Sequence, residues 1–343
     1  MDQIISGLPK LGVAAIAILV FFAVILIAFA LASLAKGWLS TTLAWIIFLV
    51  PGLVLLAVGL VVPAIRTTYL SFFNDDSTKF IGLKNYNWIF TNSDNLHTLA
   101  NTFLWIIVVP VVSTAVGLTL ALLLDRMRRE SVAKSLIFMP MAISFVGASI
   151  IWGLVYYYIQ PNYKHVEHQL GILSYIPMQI LSWAGSIFGF TPKWQPPNWI
   201  IVDSFRFNSF LLMIILIWIQ TGFAMVVLSA AVKSVPGEIV EAAELDGAVG
   251  WRLFSRVTVP MIRGTLIVVF TTIMIGSLKV FDVVRVMTGG NYGTNVLANE
   301  MYNQAFTQYN TGRGSAMAVV LFVLVIPLIA YNVVQLRKER ATR

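Results

Sequence analysis

The sequence predicts an all-α fold, a polytopic bundle of transmembrane helices, and two observations carry this prediction. First, 58% of the 343 residues are hydrophobic and only 11% are charged, whereas a soluble domain has about 25% charged residues. Second, the apolar residues form long continuous runs instead of alternating with polar ones, which excludes spanning β-strands. With a mean hydropathy of +0.84, the chain has too few polar residues to cover a water-facing surface.

Seven apolar stretches reach the length of about 20 residues that a helix needs to cross the hydrocarbon layer. The first differs from a signal peptide, because 25 uncharged residues separate Lys10 from Lys36, and the apolar part of a signal peptide has about 7–15. We therefore interpret it as a retained helix. The predicted spans are 11–35, 42–65, 99–124, 136–160, 208–232, 261–286 and 314–336.

The basic residues predict the orientation of these spans. The net charge of +8 is distributed between the apolar runs, so it favours orientation in a membrane over nucleic-acid binding. If the connections 36–41, 125–135 and 233–263 and the tail from Arg337 face the cytoplasm, they hold 13 of the 23 basic residues, and the opposite side holds 8. The positive-inside rule then predicts a cytoplasmic C-terminus and, with seven spans, an N-terminus outside.

The longest outer connection, 161–207, contains five prolines and a mostly apolar segment at 169–190. We expect that segment to lie along the membrane surface. His165, Glu167 and His168 in the same connection could form a weak metal site, but solvated loop histidines are the favoured interpretation. We therefore predict no metal site.

Catalytic motifs are absent from the sequence. It contains no Gly-Lys dipeptide and hence no P-loop, no HExxH and no GxSxG, and no cysteine. Only two acidic residues, Asp125 and Asp282, lie near the interior or edge of a span. We predict no catalytic residue, and a membrane-embedded enzyme is the disfavoured alternative.

The connection 232–260 is the most distinctive segment of the sequence. Ser234 and Pro236 are typical of a helix start, and Asp246-Gly247 is typical of a helix end. A second short helix should follow, with apolar residues on one side, and Pro260 should close it before the sixth span. The pattern predicts two short helices joined by a turn on the cytoplasmic side, which are either a docking element for a partner or an ordinary amphipathic loop.

This connection resembles the EAA loop of the permease subunits of ABC importers. The matching residues are Glu241, Ala242, Ala243, Asp246, Gly247, Ala248, Phe254 and Pro260. Other segments are similar to the carbohydrate branch of that family, of the maltose type: GLKNY at 82–86, NTFLW at 101–105, MPMAIS at 139–144 followed by Trp152, KVFDVVRVMTGG at 279–290 and MYNQAF at 301–306. Two features depart from the family: Asn291 follows the Gly-Gly pair where Pro is usual, and the family core commonly has six spans.

The resemblance implies a division of the chain and a set of partners. Residues 42–343 would form the permease domain, with 232–260 as the coupling loop that docks on an ATPase, and residues 1–41 would be an extra N-terminal transmembrane helix. The partners would be a second permease subunit, in a heterodimer, two ABC ATPase subunits that bind ATP and Mg, and an extracytoplasmic solute-binding protein. The chain itself would hold no cofactor and hydrolyse no ATP.

The resemblance also implies a location and a substrate class. The location is the cytoplasmic (inner) membrane of a bacterium or archaeon. The substrate is an oligosaccharide or glycoside, imported by alternating access. The alternatives are a permease for a polyol, glycerol phosphate or peptide, and an ion-coupled secondary transporter. The latter often has inverted repeats around a midplane ion site, and neither is evident here.

The candidate substrate path consists of polar residues within the spans. For a sugar we expect aromatic faces and neutral hydrogen-bonding groups, which Trp218, Gln220, Thr221 and Asn332 provide, although buried amides and hydroxyls also join helices. Lys279, Asp282 and Arg285 would share one face of the sixth span. They either line the path or, the favoured interpretation, neutralise one another near the outer interface. Residues 156–158, three tyrosines, are interpreted as an interfacial aromatic belt.

Overall fold

The computed structural model describes residues 38–125, 127–158, 171–190, 196–202 and 204–341, together with scattered positions between 12 and 30. Of the 25 residues in the predicted first span, 11–35, 15 lie outside the described residues, as do His165, Glu167 and His168. By internal contacts the chain divides into two units, Met1–Tyr69 and Leu70–Arg343. The predicted domain boundary at residue 41 stays a prediction.

The N-terminal unit is helical over its described residues. Helix α1 (Trp38–Leu56) contains Pro51, continues through one turn of π-helix at Ala57–Val61 and leads into α2 (Val62–Leu70). The stretch Leu49–Leu70 is apolar and long enough to cross a membrane. None of its residues is buried within the chain, as expected of a helix that meets lipid or another subunit.

The second unit is built from helices of unequal length. The first group is α3 (Lys84–Thr91), α4 (Ser93–Leu124), α5 (Glu130–Phe138), α6 (Phe145–Val155), α7 (Ile172–Phe188) and α8 (Phe207–Lys233). The second group is α9 (Gly237–Leu245), α10 (Trp251–Leu253), α11 (Val259–Met261), α12 (Arg263–Leu278), α13 (Asp282–Met287), α14 (Leu297–Tyr302) and α15 (Thr311–Ala341).

The all-α prediction is confirmed. Among the described residues, four continuous helices and two bent helix pairs are apolar and long enough to span a membrane. The described residues form no β-strand, and Phe73 and Phe80 make an isolated bridge. The described residues therefore supply up to six of the seven predicted spans.

Helices α4 and α8 form the centre of the bundle and run parallel. Asn101 near the start of α4 bonds Arg206, which precedes α8, and Asp125 at the end of α4 bonds Ser229 near the end of α8. Between these ends, Gly117 lies so close to α8 that an added Cβ would be 2.5 Å from the Cβ of Ala224. The two helices touch backbone to backbone, the close approach that small residues permit between spans.

Large apolar side chains close the core around this helix pair. Helix α8 is the most buried of the four continuous spans in the described chain: 61% of its most apolar 18-residue stretch is buried, compared with 33% for α4. A second, smaller cluster joins α3, α4, α14 and α15. The buried residues include Trp105, Val109, Leu212, Met213, Ile215, Met225 and Leu228 in the first cluster, and Ile89, Leu99, Leu297, Ala316 and Met317 in the second.

The predicted fourth span at 136–160 is a bent pair of helices. Helix α5 ends in a 3₁₀ turn at Met139–Ala142, and α6 leaves it at an angle of 102°. Ile143 has an extended backbone, and Ser144 caps α6 by accepting a hydrogen bond from Gly147 N at 3.0 Å. Pro140 favours the break because it has no N–H to donate within a helix.

The predicted sixth span at 261–286 is also bent, and it is interrupted before its predicted end. The segment Trp251–Met261 meets α12 at 74°, and α12 ends at Leu278. Lys279 N and Val280 N then donate to the carbonyls of Gly276 and Ser277 in a tight final turn, which satisfies carbonyls that a helix end would leave unpaired. A new short helix, α13, starts at Asp282.

The interpretation of residues 156–158 as an interfacial belt is wrong for Tyr156. Its side chain is 1% exposed, and its hydroxyl donates to the carbonyl oxygen of Leu211 at 3.0 Å. Tyr157 is exposed. The apolar segment predicted at 169–190 forms α7, and its position relative to a membrane surface stays a prediction.

We predict that Gly117→Ala destabilises the bundle and that Gly52→Ala does not. Both glycines lie inside helices, where alanine has a higher helix propensity by about 1 kcal/mol. An added methyl at position 117 meets Ala224 and the backbone of Met225, whereas nothing lies within 4 Å of the Cβ position at Gly52. Overpacking of this kind costs about 1–3 kcal/mol. Thermal unfolding of both purified variants in detergent measures the difference, and equal melting temperatures would contradict the close approach.

Candidate functional site

The breaks in the bent helices enclose a small cavity inside the bundle. Its volume is about 80 Å³. One wall is α8, a second is the start of α6, and the third is the irregular segment between α12 and α13. The lining residues are Phe145, Leu216, Gln220, Gly276, Lys279, Val280, Phe281, Asp282 and Val283. Irregular backbone at membrane depth is tolerated where it lines a cavity or is buried in protein.

Three of the six predicted path residues meet in this cavity. Gln220 comes from α8, Lys279 follows the end of α12, and Asp282 begins α13. Gly276 lies opposite Gln220, since a Cβ added there would be 3.8 Å from Gln220 Nε2. The cavity thus presents a neutral amide and one side chain of each charge, with no formal net charge.

The other three predicted path residues lie elsewhere. Trp218 packs edge-on against Trp152, with ring centroids 5.9 Å apart. Thr221 is buried within α8. Asn332 lies on α15 and is half-buried, and its Oδ1 has no hydrogen-bond partner among the described residues. The structure does not place these three side chains in the cavity.

The predicted neutralising cluster of Lys279, Asp282 and Arg285 does not form. Within the described chain, Asp282 has no ion pair to either neighbour within 4.0 Å. Arg285 instead donates to Asn303 Oδ1 at 2.8 Å and stacks over the ring of Tyr302, 4.8 Å from its centroid. The helix break after Leu278 removes the i, i+3 geometry between Lys279 and Asp282. Asp282 and Arg285 share α13, but the Arg285 guanidinium is turned to Asn303 and Tyr302.

The connection 232–260 forms two short helical segments joined by a turn, as predicted. Helix α9 ends in a Schellman motif: Gly247 N donates to Glu244 O at 3.0 Å and Ala248 N to Ala243 O at 2.9 Å. Gly247 has φ +82°, a left-handed conformation that glycine adopts without strain. Ser234, expected to start α9, instead ends α8, and its hydroxyl bonds Ala231 O at 2.7 Å.

This connection presents apolar side chains to its surroundings. Leu245 is 90% exposed and Trp251 is 75% exposed, and the Trp251 ring lies 5.1 Å from that of Phe254. Leu245 and Trp251 are thus exposed apolar positions among the charged residues of this connection. Of the residues matched to the EAA loop, Glu241, Ala242, Asp246, Gly247 and Pro260 are exposed, and Ala243, Ala248 and Phe254 are half-buried.

At the opposite end of α4 and α8, an amide network holds the segment 288–295. Asn101 is its centre: Nδ2 donates to Gly293 O and to Asn295 O at 3.0 Å, and Oδ1 accepts from Arg206 Nη1 at 2.7 Å. Asn208 Nδ2 donates to Tyr292 O at 2.6 Å. Sequence reasoning missed this network, although an asparagine at the start of a predicted span is its signal.

A polar cavity of about 480 Å³ opens beside this network. Phe205 and Arg206 both have left-handed backbones, with φ +54° and +58°, and Phe205 is 99% exposed. Such strain concentrates at functional sites. The cavity is lined by Asp94, His97, Thr98, Asn101, Phe205, Arg206, Gly290, Gly293 and Asn295.

A helical bundle with an internal cavity, a polar mouth at one end and an exposed helical loop at the other has the features expected of a membrane-transport subunit. A model of the family described as "Binding-protein-dependent transport system inner membrane component" matches residues 113–342, which is more than half of the chain. The chain belongs to this family and is a multi-pass permease subunit of a binding-protein-dependent ABC importer.

Curated relatives and a solved structure agree with this assignment. The "Osmoprotective compounds uptake permease protein GgtC" of Synechocystis sp. is 45% identical over 82% of this chain and 94% of its own length. The "Alpha-glucoside transport system permease protein AglF" of Rhizobium meliloti is 43% identical over 81% of this chain and 77% of its own length. One chain of a bacterial alginate ABC transporter superposes with a TM-score of 0.69 at 18% identity, over 87% of this chain and 96% of that one, and shows the same fold.

We predict that Asn101→Leu destabilises the mouth of the bundle. The substitution keeps a similar volume but leaves Gly293 O, Asn295 O and Arg206 without their buried partner. Each such group costs about 1–3 kcal/mol. Asn87→Leu is the matched control, because Asn87 is exposed. Thermal unfolding in detergent should show a lower melting temperature for the first variant only, and an unchanged value for Asn101→Leu would contradict the role of the network.

Proposed function

We propose that this permease subunit imports a neutral oligosaccharide or glycoside by alternating access. The observation that carries the proposal is the cavity at the helix breaks, which combines the Gln220 amide with the balanced charges of Lys279 and Asp282. An amide, an ammonium group and a carboxylate can together donate hydrogen bonds to hydroxyl groups and accept hydrogen bonds from them. An anionic substrate would favour a net positive site, so the glycerol phosphate alternative finds less support here.

The relatives support the same substrate class. Their printed names refer to α-glucosides, to osmoprotective compounds and, for a Thermococcus litoralis permease 28% identical to this chain, to trehalose and maltose. A glycerol-3-phosphate permease of Agrobacterium fabrum is 27% identical. The higher identities thus belong to permeases named for glucosides and osmoprotectants.

The connection 232–260 is proposed as the docking element for an ATPase subunit. Its exposed Leu245 and Trp251 offer apolar contacts, and Glu241 and Asp246 offer charged ones. A short helix of this kind fits a groove on a partner. In this proposal two ATPase subunits bind ATP and Mg, a second permease subunit completes the pathway, and this chain performs no catalysis.

The orientation follows from the docking proposal. The 232–260 end and the C-terminus face the cytoplasm, together with the basic connections. The amide network and the polar mouth then lie outside, where a solute-binding protein delivers the substrate to the connections 161–207 and 287–313. Closure of the ATPase pair moves the docked loop and turns the bundle from inward-facing to outward-facing.

We predict that Gln220→Ala raises the substrate concentration needed for half-maximal transport. Loss of one substrate hydrogen bond costs about 0.5–1.5 kcal/mol, which corresponds to about a twofold to tenfold rise. Uptake of radiolabelled maltose and trehalose into proteoliposomes holding the whole transporter measures it, with glycerol 3-phosphate as competitor. Thr119→Ala is the control, since this exposed hydroxyl bonds only Ala115 within its own helix. Equal uptake curves would remove Gln220 from the path.

We predict that Gly247→Val releases the ATPase while Gly189→Val retains it. Both glycines are left-handed, with φ +82° and +71°, and nothing lies within 4 Å of either Cβ position. A valine therefore introduces similar backbone strain, about 1–2 kcal/mol, at the end of α9 in one variant and at the end of α7 in the other. Co-purification with the ATPase encoded nearest to this chain measures retention. Equal retention would contradict docking through the turn at Gly247.

A further inference from the structure

Five side chains form a closed network where α4, α5 and α8 meet, next to the proposed docking loop. Lys134 of α5 donates to Asp125 Oδ1, to Glu130 Oε1 at 2.6 Å and to Ser229 Oγ. Ser229 Oγ in turn donates to Asp125 Oδ1 at 2.7 Å. Lys233, the last residue of α8, donates to Glu130 Oε1. We call these residues, Asp125, Glu130, Lys134, Ser229 and Lys233, the lysine cluster.

The cluster is neutral, and the Lys134 ammonium at its centre is saturated, whereas Asp125 Oδ2 is buried without a hydrogen-bond partner among the described residues. Two carboxylates face two ammonium groups, and each of the three N–H bonds of Lys134 has an acceptor. The side chains of Lys134 and Asp125 are each only 15% exposed. Lys233 is the peripheral member, because its side chain is 52% exposed.

Stability alone does not account for such a cluster. Desolvation of partly buried charges offsets most of their attraction, and apolar residues of similar volume often serve stability as well. An ionic cluster instead fixes geometry, because its hydrogen bonds form together in only one arrangement of α4, α5 and α8. The cluster therefore fixes how α4, α5 and α8 sit relative to one another at this end.

The position of the cluster connects the docking loop with the cavity. Ser234 caps the end of α8, and its N–H donates to the carbonyls of Ala230 and Ala231. Only residues 234–236 therefore separate α8 from α9. Gln220 lies about 20 Å from Lys233 along α8, since each residue of an α-helix adds about 1.5 Å. Helix α5 leads from Lys134 to the bend before Phe145, which lines the same cavity.

We propose that Lys134 is a positioning residue that joins the docking loop to both walls of the cavity. When α9 moves with the ATPase, the cluster carries the movement of the α8 end into α4 and α5, so that Gln220 and the α6 bend shift together. Without Lys134, α8 would move alone, and ATP hydrolysis would proceed without opening the path. This inference rests on the proposed docking role of 232–260.

The test compares Lys134→Met with Lys233→Met and Lys79→Met in the assembled transporter. Methionine keeps the length and apolar stem of lysine and removes its charge. Lys79 is exposed in a different part of the chain and serves as the control. Two quantities are measured in proteoliposomes: radiolabelled maltose or trehalose uptake per ATP hydrolysed, and the ratio of ATP hydrolysis with and without the solute-binding protein.

We expect both quantities to fall at least tenfold in Lys134→Met, about twofold to threefold in Lys233→Met, and not at all in Lys79→Met, while the ATPase stays bound in every variant. A role in folding alone would lower the yield of complex but leave the ratios per complex unchanged. Unchanged ratios in an assembled Lys134→Met complex would overturn the inference.

If the Lys134→Met chain does not assemble with its partner subunits, the Ser229→Ala variant tests the inference instead. It removes the small hydroxyl that links α8 to Asp125 and Lys134 and keeps every charge. A lower uptake per ATP in this variant supports the inference, and an unchanged value overturns it. A wild-type chain that holds no ATPase would instead contradict the docking proposal itself, and with it this one, so the two failures are distinguishable.

Discussion

The close parallel contact of α4 and α8 is the constraint on which the rest of the second unit depends. Gly117 allows the two backbones to touch, and this contact brings the same ends of both helices together. One end gathers Asn101 and Arg206, and the other gathers Asp125 and Ser229. A larger residue at the crossing would separate both pairs of ends at once. The polar networks at the two ends therefore both depend on a close contact that the missing side chain of Gly117 permits.

The two broken helices complement this rigid pair. A continuous helix satisfies its own backbone within the membrane, and a break exposes groups that need other partners. Here the partners are supplied locally: Ser144 caps α6, and the final turn of α12 accepts the N–H groups of Lys279 and Val280. Because these breaks are satisfied without help from α8, they can lie against it and leave a cavity between them. The polar residues Gln220, Lys279 and Asp282 meet there for that reason.

The sequence predicted what depends on local pattern and missed what depends on distant contacts. Hydrophobic length placed the spans at 99–124 and 208–232 within a few residues of α4 and α8, and Asp246-Gly247 correctly ended α9, since a helix end is decided by adjacent residues. The bends near residues 143 and 262 were missed, because continuous hydrophobicity does not distinguish a straight span from a folded one. Tyr156 was misplaced for a related reason: only the carbonyl of Leu211, far away in the chain, makes its burial favourable.

The same reasoning explains why the charged residues were harder to interpret than the apolar ones. The spacing predicted that Asp282 would pair with Lys279 or Arg285. In the structure, Arg285 instead donates to Asn303 and stacks over the ring of Tyr302. The pairing that does form, Lys134 with Asp125, joins two helices across a connection of 126–129 and takes Ser229 from a third. Charges near the ends of spans thus find partners on neighbouring helices, whereas those beside the cavity keep their hydrogen-bonding capacity. A transport subunit needs this distribution: rigid ends that transmit movement, and a middle whose polar groups are available to a passing substrate.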